Sequence, residues 1–267
     1  MRITSGFSKK FFEEDAVFEV MDNLVFDDTK LSIYFISANY DQQKVSNGVR
    51  EYLNKVAFRN ERTYLHVNGS VLIDASVLIL MEIDMPFEVG YTINYTPTPF
   101  TMKITDANFK KRLVKEIDYT PIVNIYGKLS GKDASELNFY DLMSNPLGVS
   151  YNNQVFLRSP IRVNSDGSMS FQCFLKEGQE VIRMHQQSMV KELEELIRRL
   201  ERKLGNVECL LVFNCAYRYL EMLRDKTSYN IKSVFNGIDM IGMNSFGQQL
   251  NGMHMNQSLT YIAFGSE

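Results

Sequence analysis

Residues 180–204 constrain the fold more than any other stretch of the chain. Ile182, Met189, Leu193, Leu196, Ile197, Leu200 and Leu204 recur at spacings of three, four and seven, which gathers them into one apolar stripe if the segment is a helix. Glu194 with Arg198, and Glu195 with Arg199, stand at i,i+4 on the other side, where opposite charges support a helix. Gly205 follows as a terminator. A helix apolar on one side must lie on something. Residues 209–213, CLLVF, supply it: a wholly apolar strand needs cover on both faces.

Much of what remains reads as strand. Residues 30–37 form a buried strand, and 41–56, with Val45, Val49, Tyr52 and Leu53 at near-helical spacing, a helix after it. Residues 62–67 and 71–83 are strands around Asn68-Gly69, a strong hairpin signal. Residues 89–95, 100–105, 112–117, 154–163 (interrupted at Pro160) and 169–175 are further strands. Asn145-Pro146-Leu147-Gly148 reads as a turn and Asp166-Gly167 as a second hairpin. Residues 121–129 read as a helix capped by Thr120 with Pro121 at its first position. Short helices at 217–224 and 228–235 and strands at 240–243 and 259–264 complete the chain. Many strands with few helices predict an α+β fold: layered mixed, mainly antiparallel sheets with covering helices. The boundary falls near Pro97, or between Leu129 and Leu137, and the first choice divides the chain into 1–97 and 98–267.

Composition excludes several functions. With 32 acidic and 29 basic residues the formal charge is −3, so no long-range field draws nucleic acid or an anionic membrane. Three cysteines, Cys173, Cys209 and Cys215, lack the number and spacing of a disulfide framework or a zinc motif and fit reduced thiols in the cytoplasm. The start, MRITSGFSKKFFEEDAVFEV, carries acids within its apolar stretches and reads as neither a signal peptide nor a membrane span. His66, His185 and His254 do not stand at metal-binding spacing. The pairs Glu82/Asp84 and Glu116/Asp118 read as solvated strand ends.

Binding chemistry gathers near the C-terminus. Cys215 and Arg218 lie just past the apolar strand, where open α/β sheets receive ligands, and a guanidinium there can grip a carboxylate with two parallel bonds. Tyr217 stands between them. Beyond lies Gly242-Met243-Asn244-Ser245-Phe246-Gly247-Gln248. As a turn, it would let Gly242 and Gly247 adopt positive φ, let successive N–H groups form an anion-binding concavity, and let Asn244, Ser245 and Gln248 add side-chain hydrogen bonds. Tyr217 and Phe246 can enclose the rest of a ligand. The structural alternative is a bend in which the glycines only relieve strain.

These segments resemble the FIST sensory proteins (F-box and intracellular signal transduction). The resemblance is carried by LLVFNCAYR at 210–218, IGMNSFGQ at 241–248 and MNQSLTYIAF at 255–264, with KEIDYTPIVNIYGKLSG at 115–131, LRSPIRVNSDGSMSF and LKEGQEV before them. It runs from Val89 to the end and weakens before that, so 1–97 reads as a shortened N-terminal region and 98–267 as the C-terminal ligand-binding domain. Gln248 and Ile122 stand where the family usually has glutamate and alanine.

The resemblance implies a cytoplasmic, non-enzymatic sensor of a small ligand, an amino acid or other small anion. It binds at Cys215, Tyr217, Arg218, Gly242, Asn244, Ser245, Phe246, Gly247 and Gln248. Its implied output partner is a separate signalling protein, such as a histidine kinase, chemoreceptor or cyclic-nucleotide enzyme. No cofactor is expected, apart from a branch in which haem is bound, as in nitric oxide sensors, with His254 between Met253 and Met255 as its ligand. Two other classes stand beside this reading. One is an enzyme with Cys215 as nucleophile and His254 or His185 as base. The other is a scaffold for protein–protein contact.

Overall fold

A computed structural model describes residues 2–8, 16–17, 19–20, 31–36, 56–58, 64–67, 70–73 and 76–266. The expected helix at 41–56 lies outside the described residues, apart from Val56, which begins the strand Val56–Phe58. The chain divides into two compact units. One comprises 93–192 with 255–258, and the other comprises 1–92, 193–254 and 259–267. The sheets are mixed and mostly antiparallel, and the fold is α+β.

The unit of residues 93–192 is built on an eight-stranded sheet. Its central strand, Tyr95–Asn108, pairs antiparallel with Glu180–Gln186 on one side and Leu113–Ile117 on the other. Local chemistry fixes its corners. Asn152 and Asn153 hold φ of 48° and 60° between Leu147–Tyr151 and Gln154–Arg158, the two-residue left-handed turn that matches strand twist. Gly167, at φ 76°, turns Pro160–Val163 into Met169–Phe171 as the Asp166-Gly167 signal predicts. Helix α1 (Ile122–Ser130) and helix α2 (Phe139–Met143) follow the central strands. Tyr126, fully buried, packs in a core with Ile104, Val114, Ile117, Ile122, Leu147 and Phe171.

Three expectations in this unit are corrected. Residues 180–186 are a strand rather than the first turns of the long helix. Val181 and Met184 are buried although three residues apart, and the register with Tyr95–Asn108 shifts between Ile182 and Met184, so pairing to that strand rather than a helical stripe places Ile182 and His185. Helix α3 (Met189–Leu204) begins after Ser188, whose Oγ accepts from the Lys191 N–H, a cap that the apolar periodicity had hidden. Leu147 and Gly148 lie in a strand, and the turn falls later, at the two asparagines. Pro121 precedes α1, and Thr120 does not cap it: its hydroxyl donates to the Asp118 carbonyl instead.

The other unit carries the C-terminal strands. A four-stranded sheet has β1 (Phe87–Thr92) at one end, then β4 (Leu259–Ser266), β2 (Asn206–Cys215) and β3 (Asp239–Ser245). β2 runs antiparallel to β4, with Leu210 opposite Ala263, and parallel to β3, with Leu210 opposite Met240. The crossover from β2 to β3 contains helix α4 (Ala216–Arg224) and helix α5 (Ser228–Val234). Leu193, Leu196 and Leu200 of α3 are buried as the stripe requires, at 1%, 2% and 1% exposure. Arg199 donates to the Tyr261 hydroxyl and Lys203 pairs with Glu88, so α3 covers the face of the sheet that carries those residues. A second sheet joins Arg2–Ser8, Ser76–Glu82, Leu31–Ile36, Val56–Phe58, Gln248–Leu250 and Met253–Met255 in that order. Tyr64–Val67 pairs antiparallel with Ser70–Ile73, and the turn expected at Asn68-Gly69 lies outside the described residues.

Candidate functional site at the ends of two parallel strands

β2 is apolar from Cys209 to Phe213, takes Asn214 next and ends at Cys215, and α4 starts at the next residue. In the parallel register with β3, Asn214 faces Asn244 and Cys215 faces Ser245. Side chains alternate across a strand, so these four polar residues fall into two pairs on opposite faces. Asn214 Nδ2 donates to Asn244 Oδ1 at 2.9 Å, and Arg218 Nε donates to Asn214 Oδ1 at 3.2 Å. On the other face, Gln248 Nε2 donates to Ser245 Oγ at 2.6 Å.

Arg218 is the largest side chain buried to this degree, with no exposed surface. Helical spacing puts Glu221, also buried, on the same side of α4 one turn later. The sequence reading missed Asn214; it allows Arg218 to cap a helix or to pair with Glu221 at the surface, but both residues are buried. The signal for Asn214 is a lone polar residue closing the apolar run LLVF, and for Glu221 it is an acid three residues after an arginine on one helix face. Cys215 and Tyr217 are buried as well, Gln248 is fully buried, and Phe246 is 57% exposed.

The glycine turn is largely absent. Gly242, Met243, Asn244 and Ser245 belong to β3, and only Phe246-Gly247 links β3 to the strand Gln248–Leu250. Among the described glycines, those with positive φ include neither Gly242 nor Gly247. A Cβ on Gly242 would run into the Val212 carbonyl oxygen, so this glycine allows two backbones to approach closely. Parallel pairing commits part of the β3 backbone to β2 and replaces the concavity of N–H groups that a turn would have formed.

The other candidates separate. His185 is exposed on the strand Glu180–Gln186, away from any helix. His254 sits in the strand Met253–Met255, where alternation places both methionines on the face opposite to it. Among the described residues no group of three histidine, cysteine or acidic side chains can hold a metal ion. Cys209, opposite Asp239, has its thiol pushed up by burial and then by the Asp239 charge. Asn256 is buried and accepts from the Ser159 N–H and the Cys173 thiol, which gives it a structural role.

Comparison with known families accounts for most of this layout. The FIST N domain matches residues 54–120 and the FIST C domain matches residues 123–251. A search of curated proteins finds no match. The chain belongs to the FIST sensory domain family, whose domains are associated with sensory and signal-transduction roles. The N-domain match begins well before Val89, and the C-domain match stops short of the segment 255–264. No described helix is long and apolar enough to cross a membrane.

Proposed function

We propose that this chain is a small-ligand sensor of the cytoplasm, with its ligand held where β2 and β3 end. The observation that carries this reading is the guanidinium of Arg218, wholly withdrawn from water beside the Asn214–Asn244 pair. Arginine keeps its charge when buried, and this one is already held by Asn214, with the buried acid Glu221 one helical turn away. A carboxylate at the strand ends would take neutral donors from Asn214 or Asn244 beside Arg218, with Tyr217 and Phe246 as apolar walls. An amino acid or another small anion has this chemistry. Occupation of the strand ends would favour one arrangement of β3 and α4 over another and pass to a separate signalling protein, such as a histidine kinase, chemoreceptor or cyclic-nucleotide enzyme.

The test is calorimetry after a thermal-shift screen of amino acids and small carboxylates. A hit should weaken at least tenfold in Asn244→Ala, since losing one hydrogen bond to a charged group costs about 1.5–3 kcal/mol. Asn244 is exposed, so that variant should fold normally. Arg218→Gln should abolish binding. No hit across the screen, or a hit indifferent to both variants, would remove this site.

A further inference from the structure

β3 is bare. Every residue from Asp239 to Asn244 is exposed, including Met240 at 48%, Ile241 at 67% and Met243 at 51%. Among the described residues it pairs only with β2 and ends its sheet. Exposed edge strands are usually blunted by lysine, proline, a bulge or a covering loop. The sequence DMIGMNS contains no lysine, arginine or proline, and its register with β2 runs unbroken from Asp239 to Ser245.

We infer that β3 is a self-association edge, at which two copies of this chain join their four-stranded sheets by antiparallel pairing of β3 with β3. Two-fold pairing is self-complementary, and one register pairs all seven residues of the strand. In that register Gly242 lies on the dyad, Ile241 faces the other copy's Met243, Met240 faces Asn244 and Asp239 faces Ser245. The apolar residues meet as cross-strand pairs, which stabilise a ladder. The charges are compatible as well: the one charged residue of each strand meets a serine, so no like charges oppose. The residue brought against its own copy is the one without a side chain.

A seven-residue ladder by itself falls short of the roughly 1,200 Å² at which stable interfaces begin. Helix α4 supplies more. It packs against β3 and exposes Tyr219 at 37% and Leu223 at 49%. A dyad normal to the sheet keeps each face on its own side, so both copies of α4 flank the joint on the same face. The self-complementary register is what favours a second copy over a strand from another protein.

Sedimentation of the purified full chain across the micromolar range tests this. The wild type should move toward twice its 30.9 kDa mass. Ile241→Lys should stay at the single mass with an unchanged melting temperature in dilute solution. Tyr119→Lys, altered at a residue 86% exposed in the other unit, should dimerise like the wild type. Amide exchange of residues 239–245 should slow as concentration rises, a readout that needs no variant. A wild type that remains monomeric, an Ile241→Lys variant that dimerises fully, or exchange at 239–245 that ignores concentration would each overturn the proposal.

Discussion

Ser159 donates its hydroxyl to Gln257 Oε1 at 2.6 Å, joining residues 98 positions apart. Gln257 in turn donates to the Met143 carbonyl at 2.9 Å and to the Tyr95 hydroxyl at 3.2 Å. The segment 255–258 is thereby fastened into the unit of residues 93–192 by side chains buried at both ends. Gln257→Leu removes one acceptor and two donors at once. It should cost about 1–3 kcal/mol or more, since the partners left behind stay buried. Urea unfolding measures it, and a loss below ~0.5 kcal/mol would show the network to be dispensable.

Tyr126 is fully buried, and among the described residues its hydroxyl has no hydrogen-bond partner. Tyr126→Phe should therefore leave stability unchanged or raise it by about 1 kcal/mol. Burial also pushes the phenol far above its ordinary value of 10.0. The unfolded chain gives up this proton near pH 10 and the folded chain holds it, so this residue's contribution is complete below that pH and declines above it. Alkaline unfolding curves should fall less steeply for Tyr126→Phe than for the wild type. Equal slopes would argue against burial of the phenol.

Leu196 lies in the stripe of α3 with 2% of its surface exposed. Leu196→Ala should lower stability by about 2–5 kcal/mol, the range for a packed leucine. An effect under ~0.5 kcal/mol would mean that α3 is not seated on the sheet as described.

Gly242→Ala should be disruptive although Gly242 is exposed. The added methyl meets the Val212 backbone, which cannot swing aside as a flexible side chain can. Thermal unfolding should show a clear loss, and the same variant should lose the proposed ligand. Serine at the neighbouring exposed Met243 should do neither.

Thiol chemistry distinguishes a binding protein from a cysteine enzyme. Cys173 and Cys215 are buried and Cys209 half-buried. Burial, then the Asp239 charge, hold the Cys209 thiol above its usual range, and the thiolate is the reactive form. Alkylation of the native protein at neutral pH should be slow at all three positions, and denaturant should release it. Fast labelling of Cys215 in the native state would revive the nucleophile reading.

The sequence alone determined the elements that depend on neighbours along the chain. The apolar run of β2, the stripe of α3 after Met189, the Asp166-Gly167 hairpin and the strand 259–264 all follow from local periodicity and turn chemistry. So did the family, because its motifs keep their order. Tertiary structure decided whatever depends on a partner strand. Residues 180–186 suit either a helix or a strand by pattern, and the ladder with Tyr95–Asn108 settled them as a strand. Gly242 reads as a turn residue in isolation, yet it serves to let β3 approach the Val212 carbonyl. Pairing also separated the candidate site, putting Asn214 with Asn244 on one face and Cys215 with Ser245 on the other. That division is a matter of register between two strands joined by a helical crossover, and spacing along a single chain does not record register.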